Sequence, residues 1–119
     1  MQQFDHEKLD VYQTAVDWVS LAQEIVAALL ASKGHGPLAN QRQRAASSTA
    51  LNIAEGAGEF SAAEKARFYR IAKRSATECA AILDVAQRRS CIANEHFTKG
   101  RSLLLRIVGM LVKLTRAHA

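Results

Sequence analysis

The stretch Gly56-Ala57-Gly58-Glu59-Phe60-Ser61-Ala62-Ala63-Glu64 decides the fold. Two glycines within three residues mark the end of a helix, because glycine loses the most backbone freedom inside a helix and is favoured just past its last turn. Ser61-Ala62-Ala63-Glu64 has the form of a capping box, in which the serine hydroxyl and the glutamate carboxylate each satisfy a backbone N–H at a helix start. One helix therefore stops and another begins within a few residues, and the chain folds back on itself.

The same punctuation recurs on either side. Upstream, Pro37 suits the first turn of a helix expected over residues 37–54, and Lys33-Gly34-His35-Gly36 closes an earlier one over 7–32. Downstream, a long helix is expected over 62–90, followed by a last one over 95–117 that Asn94 can cap. Apolar residues recur at helical spacing in all four segments, and none alternates as a strand would. The expected fold is all-α, an antiparallel up-down-up-down four-helix bundle filling one domain over residues 1–119.

Composition agrees with a packed domain: of 119 residues, 49% are hydrophobic and 23% charged, with a single proline. The longest apolar runs, Leu103–Leu105 and Ile107–Val112, are split by Arg106 and fall short of the roughly 20 residues that cross a bilayer. No membrane partner is expected. The opening Met-Gln-Gln-Phe-Asp-His-Glu lacks a basic region followed by an apolar stretch, so the expected compartment is the cytoplasm. Cys79 and Cys91 are twelve residues apart, about 18 Å along one helix and too far for a disulfide.

The first helix carries two apolar stripes. Tyr12, Val16, Val19, Val26 and Leu30 form one; Val11, Ala15, Trp18, Ala22, Ile25 and Leu29 form the other. The fourth helix is also apolar around most of its girth, through Phe97, Leu104, Leu105, Ile107, Val108, Leu111, Val112 and Leu114. A helix in a monomeric bundle buries one stripe, so the surplus predicts either unusually central helices or a subunit interface; the interface is the favoured reading, with Val11, Trp18, Ile25 and Leu29 expected there.

Charge is segregated along the chain. The formal net charge is +5, yet residues 1–33 hold two basic against five acidic residues, whereas residues 59–91 hold seven against four and residues 92–119 five against one. Arg67, Arg70, Lys73, Arg74 and Arg88 fall opposite the apolar face of the third helix, and Lys99, Arg106, Lys113 and Arg116 fill the polar strip of the fourth. These nine are the expected contacts for the phosphate backbone of RNA or DNA; a solvated face is the simpler alternative. Aromatic residues are few and sit on apolar faces, which argues against a base-stacking platform.

Catalytic chemistry finds no foothold. None of His6, His35, His96 and His118 stands in a Glu-x-x-His arrangement, so no metal is expected. Neither Gly34-His35-Gly36 nor Gly56-Ala57-Gly58 has the spacing and lysine of a phosphate-cradling loop, and no cofactor or nucleophile can be nominated. One polar set stands out. Ser48, Asn52 and Glu55 share a face of the second helix, and Ser75 and Glu78 share one on the third. With Arg44 they are expected to form an interhelical hydrogen-bond network; a ligand site built on Glu55 and Glu78 is the less favoured alternative.

At these residues the sequence resembles the bacterial family named after the intervening sequences of 23S ribosomal RNA. Gln41-Arg42-Gln43-Arg44-Ala45-Ala46-Ser47-Ser48 followed by Asn52-Ile53-Ala54-Glu55-Gly56 is similar to the family signature. Ser61, Glu64, Arg67, Phe68, Ile71, Ala72, Ser75 and Glu78 match its next helix, and Phe4, Leu9, Val11, Tyr12 and Ala15 its opening. The resemblance implies a four-helix bundle assembling as a ring-like homopentamer with no established catalytic activity. It also implies kinship of fold with the accessory proteins of diversity-generating retroelements, basic pentamers that associate with a reverse transcriptase and bind nucleic acid. The chain departs from the pattern at Arg42, Thr49, Ala50 and Arg74. A protein-interaction scaffold or reverse-transcriptase accessory subunit is therefore the alternative to direct nucleic-acid binding.

Overall fold

The computed structural model describes residues 2–30 and 36–119, with the side chains of residues 30 and 36–42 outside the description. A short 3-10 turn at Asp5–Lys8 leads into four helices: α1 (Asp10–Leu30), α2 (Gly36–Gly58), α3 (Ala62–Arg88) and α4 (Asn94–His118). Each helix packs on its chain neighbours, and α4 closes the ring against α1. The directions follow from particular contacts. Ser48 meets Ser75 and Gly56 meets Tyr69 between α2 and α3; Leu83 meets Gly100 and Tyr69 meets His118 between α3 and α4; Trp18 meets Gly100 and Glu24 meets His96 between α1 and α4. Positions rise on one helix as they fall on the next, so the bundle runs up-down-up-down. It is 46 Å long, close to the roughly 40 Å that 27 residues of α3 span at 1.5 Å each.

The helix ends differ from the expectation in informative ways. The first helix begins at Asp10, because Glu7 belongs to the 3-10 turn and its carboxylate accepts from the Phe4 N–H at 2.9 Å. The expected end of that helix at residue 32 and the Lys33–Gly36 connector lie largely outside the described residues. α2 continues through Gly56 to Gly58, where Lys65 Nζ donates to the Ala57 and Gly56 carbonyls at 2.9 and 3.3 Å. A lysine from the next helix thus satisfies the last carbonyls of α2, a favourable place for positive charge.

Ser61 does cap α3, accepting from the Glu64 N–H at 3.0 Å, but the Glu64 carboxylate turns to Arg67 instead of completing the box. Asn94 is the first residue of α4 rather than its cap, which is Ala93. α3 ends two residues early. Ser90 enters the left-handed region at φ 56°, while the Cys91 and Ser90 N–H groups close back onto Ala86 and Gln87 carbonyls, the Schellman arrangement.

The core corrects the expected subunit interface. Val11, Trp18, Ile25 and Leu29 lie inside the bundle, between 0 and 2% exposed. The reason is steric: the Trp18 ring occupies a notch left by Gly100, where an added Cβ would come within 3.0 Å of Trp18 Cζ3 and 2.9 Å of Leu83 Cδ1. The other α1 stripe is buried less evenly: Val16 is exposed, Tyr12 and Val19 are half-buried against the core, and Val26 is inside it. On α4, Leu103, Leu104, Ile107 and Leu111 are buried, whereas Leu105 is 60% exposed. Small residues, Ala45, Ala46 and Ala50 on α2 with Ala72 and Ala76 on α3, line the core where these two helices meet. Thr49 is fully buried among them; its hydroxyl donates to the Ala45 carbonyl at 2.9 Å.

Candidate nucleic-acid interface

All nine cations proposed from the sequence are solvent-exposed, as desolvation of an unpaired charge requires. The structure sorts them into unequal groups. Arg70, Lys73 and Arg74, with Thr77 one turn on, border a shallow depression formed by α3 alone. Their spacing puts them on one face, turned away from the buried Tyr69, Ala72, Ala76 and Cys79. The Thr77 hydroxyl donates to the Lys73 carbonyl at 2.9 Å. No carboxylate lies among them. Glu78, exposed just beyond, makes no ion pair among the described residues.

Arg67 is engaged differently. Its guanidinium grips Glu64 at 3.0 Å and lies 4.4 Å over the Phe68 ring. The hydrogen bond to Glu64 and then that residue's charge raise the Arg67 pKa further. Arg88 lies in the last turn of α3, about 21 Å along the helix from Arg74, and Arg116 in the last turn of α4.

The α4 row is not alone on its face. Lys99, Arg106 and Lys113 are spaced by sevens, about 10.5 Å apart on an ideal helix. Arg106 and Lys113 share a cleft with Asp10 and Asp17 of α1, floored by Gly109, Met110 and the buried Thr14. Sequence reasoning located the acidic helix and the basic helices but not this apposition, which depends on α1 and α4 being neighbours. Arg89 and Arg101 are further exposed cations outside the two rows, marked in the sequence only by their charge.

The polar set is smaller than expected. Ser48 and Ser75 share a hydrogen bond of 2.8 Å across α2 and α3, and Asn52 Nδ2 donates to the Ser48 carbonyl at 2.8 Å and hydroxyl at 3.1 Å. Arg44, Glu55 and Glu78 are exposed and make no hydrogen bond to another described residue, which corrects their place in the network. A carboxylate that can stay hydrated at the helix edge gains little from burial beside neutral hydroxyls. Among the described residues no three metal-ligating side chains gather, at Glu55, Glu78 or elsewhere.

The fold and surface define a class: an antiparallel four-helix bundle whose polar chemistry serves packing and whose exposed charge is mainly cationic. The sequence matches the 23S rRNA-intervening sequence protein family over residues 7–113, and the chain belongs to that family. Among solved structures it is similar to a protein of unknown function from the S23 ribosomal protein family of Bacteroides thetaiotaomicron, with a TM-score of 0.83 and 19% identity. That match covers 88% of this chain and 97% of the other. Among curated proteins none matches. No helix among the described residues is long and apolar enough to cross a membrane.

Proposed function

We propose that this protein is a non-enzymatic, cytoplasmic homopentamer that holds nucleic acid by its phosphate backbone. The observation that carries the reading is the exposure of all nine cations on α3 and α4, three of them contiguous on α3 with no carboxylate between them. Exposed Leu51, Leu105 and Val85 supply apolar surface for contacts between copies. In a closed ring, repeated copies of a modest basic patch add by avidity.

Mobility-shift titration of structured RNA and duplex DNA at about 50 and 200 mM salt tests the binding. Retention that weakens steeply with salt supports backbone contact, since each phosphate contact contributes about 0.9 to the logarithmic salt slope. No retention at low salt, or salt-independent retention, removes it. Light scattering coupled to size exclusion tests the assembly, with five chain masses expected and a monomer excluding it.

A second reading, an interaction scaffold or accessory subunit of a reverse transcriptase, is favoured by Phe60. That side chain is fully exposed at the α2–α3 turn beside Glu59, a place suited to a protein contact.

A further inference from the structure

We infer that the two basic helices are unequal toward a polyanion: Arg70, Lys73 and Arg74 of α3 are the phosphate contacts, while Asp10 and Asp17 of α1 hold the α4 cations Arg106 and Lys113 out of use. The inference rests on the nucleic-acid reading above and assigns its partner as duplex RNA.

Three observations lead there. The α3 cluster presents three cations on one face around a depression that no carboxylate lines, with Glu78 one turn beyond Arg74 at its edge. Arg106 and Lys113 instead open into a cleft whose facing wall carries Asp10 and Asp17; no ion pair within 4 Å joins them among the described residues, and the two negative charges offset the positive potential across the cleft. Arg67, the nearest further cation on α3, is already paired with Glu64.

The geometry of the cluster selects the partner. No exposed ring borders it, because Tyr69 is buried and Phe68 lies half-buried beneath Arg67, so unpaired bases have nothing to stack on. A double helix presents its phosphates without asking for stacking. Thr77 then distinguishes RNA. Its proton is spent on the Lys73 carbonyl, leaving its oxygen as an exposed acceptor beside three donors. That pattern complements a strand offering phosphate oxygens together with a 2′-hydroxyl donor, which DNA lacks.

The experiment measures fluorescence anisotropy of a labelled duplex RNA, the same sequence as duplex DNA, and the single-stranded RNA, using the full chain in its native assembly. The variants are R70Q/K73Q/R74Q, R106Q/K113Q, D10N/D17N and T77V, all checked for unchanged helicity and melting. D5N/D84N adds the same two charges as D10N/D17N away from the cleft. The triple variant is expected to lower the logarithmic salt slope by about 0.9 for each of its three lost contacts, and R106Q/K113Q to leave it unchanged. D10N/D17N is expected to raise affinity and steepen the slope by about two contacts, beyond any effect of D5N/D84N. T77V is expected to narrow the preference for RNA over DNA.

Native binding whose slope survives the α3 triple variant, or falls equally with R106Q/K113Q, overturns the inference while leaving the nucleic-acid reading intact. Equal or tighter binding to duplex DNA or to single-stranded RNA overturns the assignment of partner. Absence of binding by the native chain removes both readings together.

Discussion

Gly56 on α2 lies against the ring of Tyr69 on α3 so closely that a Cβ at residue 56 would sit 2.8 Å from Tyr69 Cε1 and 3.1 Å from Phe68 Cβ. The glycine is helical, so its role here is to let two helices approach rather than to end one. Gly56→Ala should therefore destabilise the fold by about 1–3 kcal/mol despite alanine's better helix propensity. Gly109, mid-helix on α4, has nothing within 4 Å of its would-be Cβ, so Gly109→Ala should stabilise by about 0.5–1 kcal/mol. Thermal melts followed by fluorescence of the buried, single Trp18 check both. A Gly56→Ala protein as stable as the native one would refute the close-approach account.

Ser48 and Ser75 should behave as a coupled pair. Removing either hydroxyl leaves its partner half-buried and short of a hydrogen bond, costing about 1 kcal/mol. In the double alanine variant neither is orphaned, so its loss should be smaller than the two single losses combined. A double-mutant cycle by urea denaturation measures this; strict additivity would show that the hydrogen bond contributes nothing.

Ser90 occupies a left-handed conformation at the end of α3 that glycine adopts without penalty. Ser90→Gly should gain about 1 kcal/mol, reduced somewhat by the greater freedom of glycine in the unfolded chain. Denaturant midpoints check the direction, and a loss of stability would indicate that the serine side chain itself supports the turn.

Burial raises the Tyr69 pKa above the ordinary tyrosine value of about 10. The unfolded chain then ionises this phenol at lower pH than the folded chain does. Its contribution is fully present below about pH 10 and is lost as pH rises through the folded value. Stability measured from pH 8 to 11 should fall at the alkaline end, and Tyr69→Phe should flatten that fall. An identical alkaline slope in the variant would assign the loss to other groups.

Local rules made much of the fold legible. Helical periodicity, the Gly56–Ser61 breaker and cap, and the short connectors specify four antiparallel helices, because helix type and chain reversal depend on residues within a turn or two. Exposure of the Arg and Lys rows was equally legible, since an unpaired charge avoids the interior whatever the neighbours are. The rotation of each helix about its own axis was not. Val11, Trp18, Ile25 and Leu29 form as good an outer stripe in sequence as Tyr12, Val16 and Val19 do. The Gly100 notch on α4, more than 80 residues beyond Trp18, decides which stripe turns inward.

The candidate site divides along the same line. That α3 and α4 carry the positive charge, and that Ser48, Asn52 and Ser75 sit near the α2–α3 seam, follows from their spacing. That Glu55 and Glu78 remain in water, that Thr49 is buried, and that Asp10 and Asp17 confront Arg106 and Lys113 was set by packing between helices distant in the chain. Sequence by itself determined the helices and the charge each one bears; only the tertiary structure decided which faces meet, because contact between helices is a non-local choice among several nearly equivalent apolar stripes.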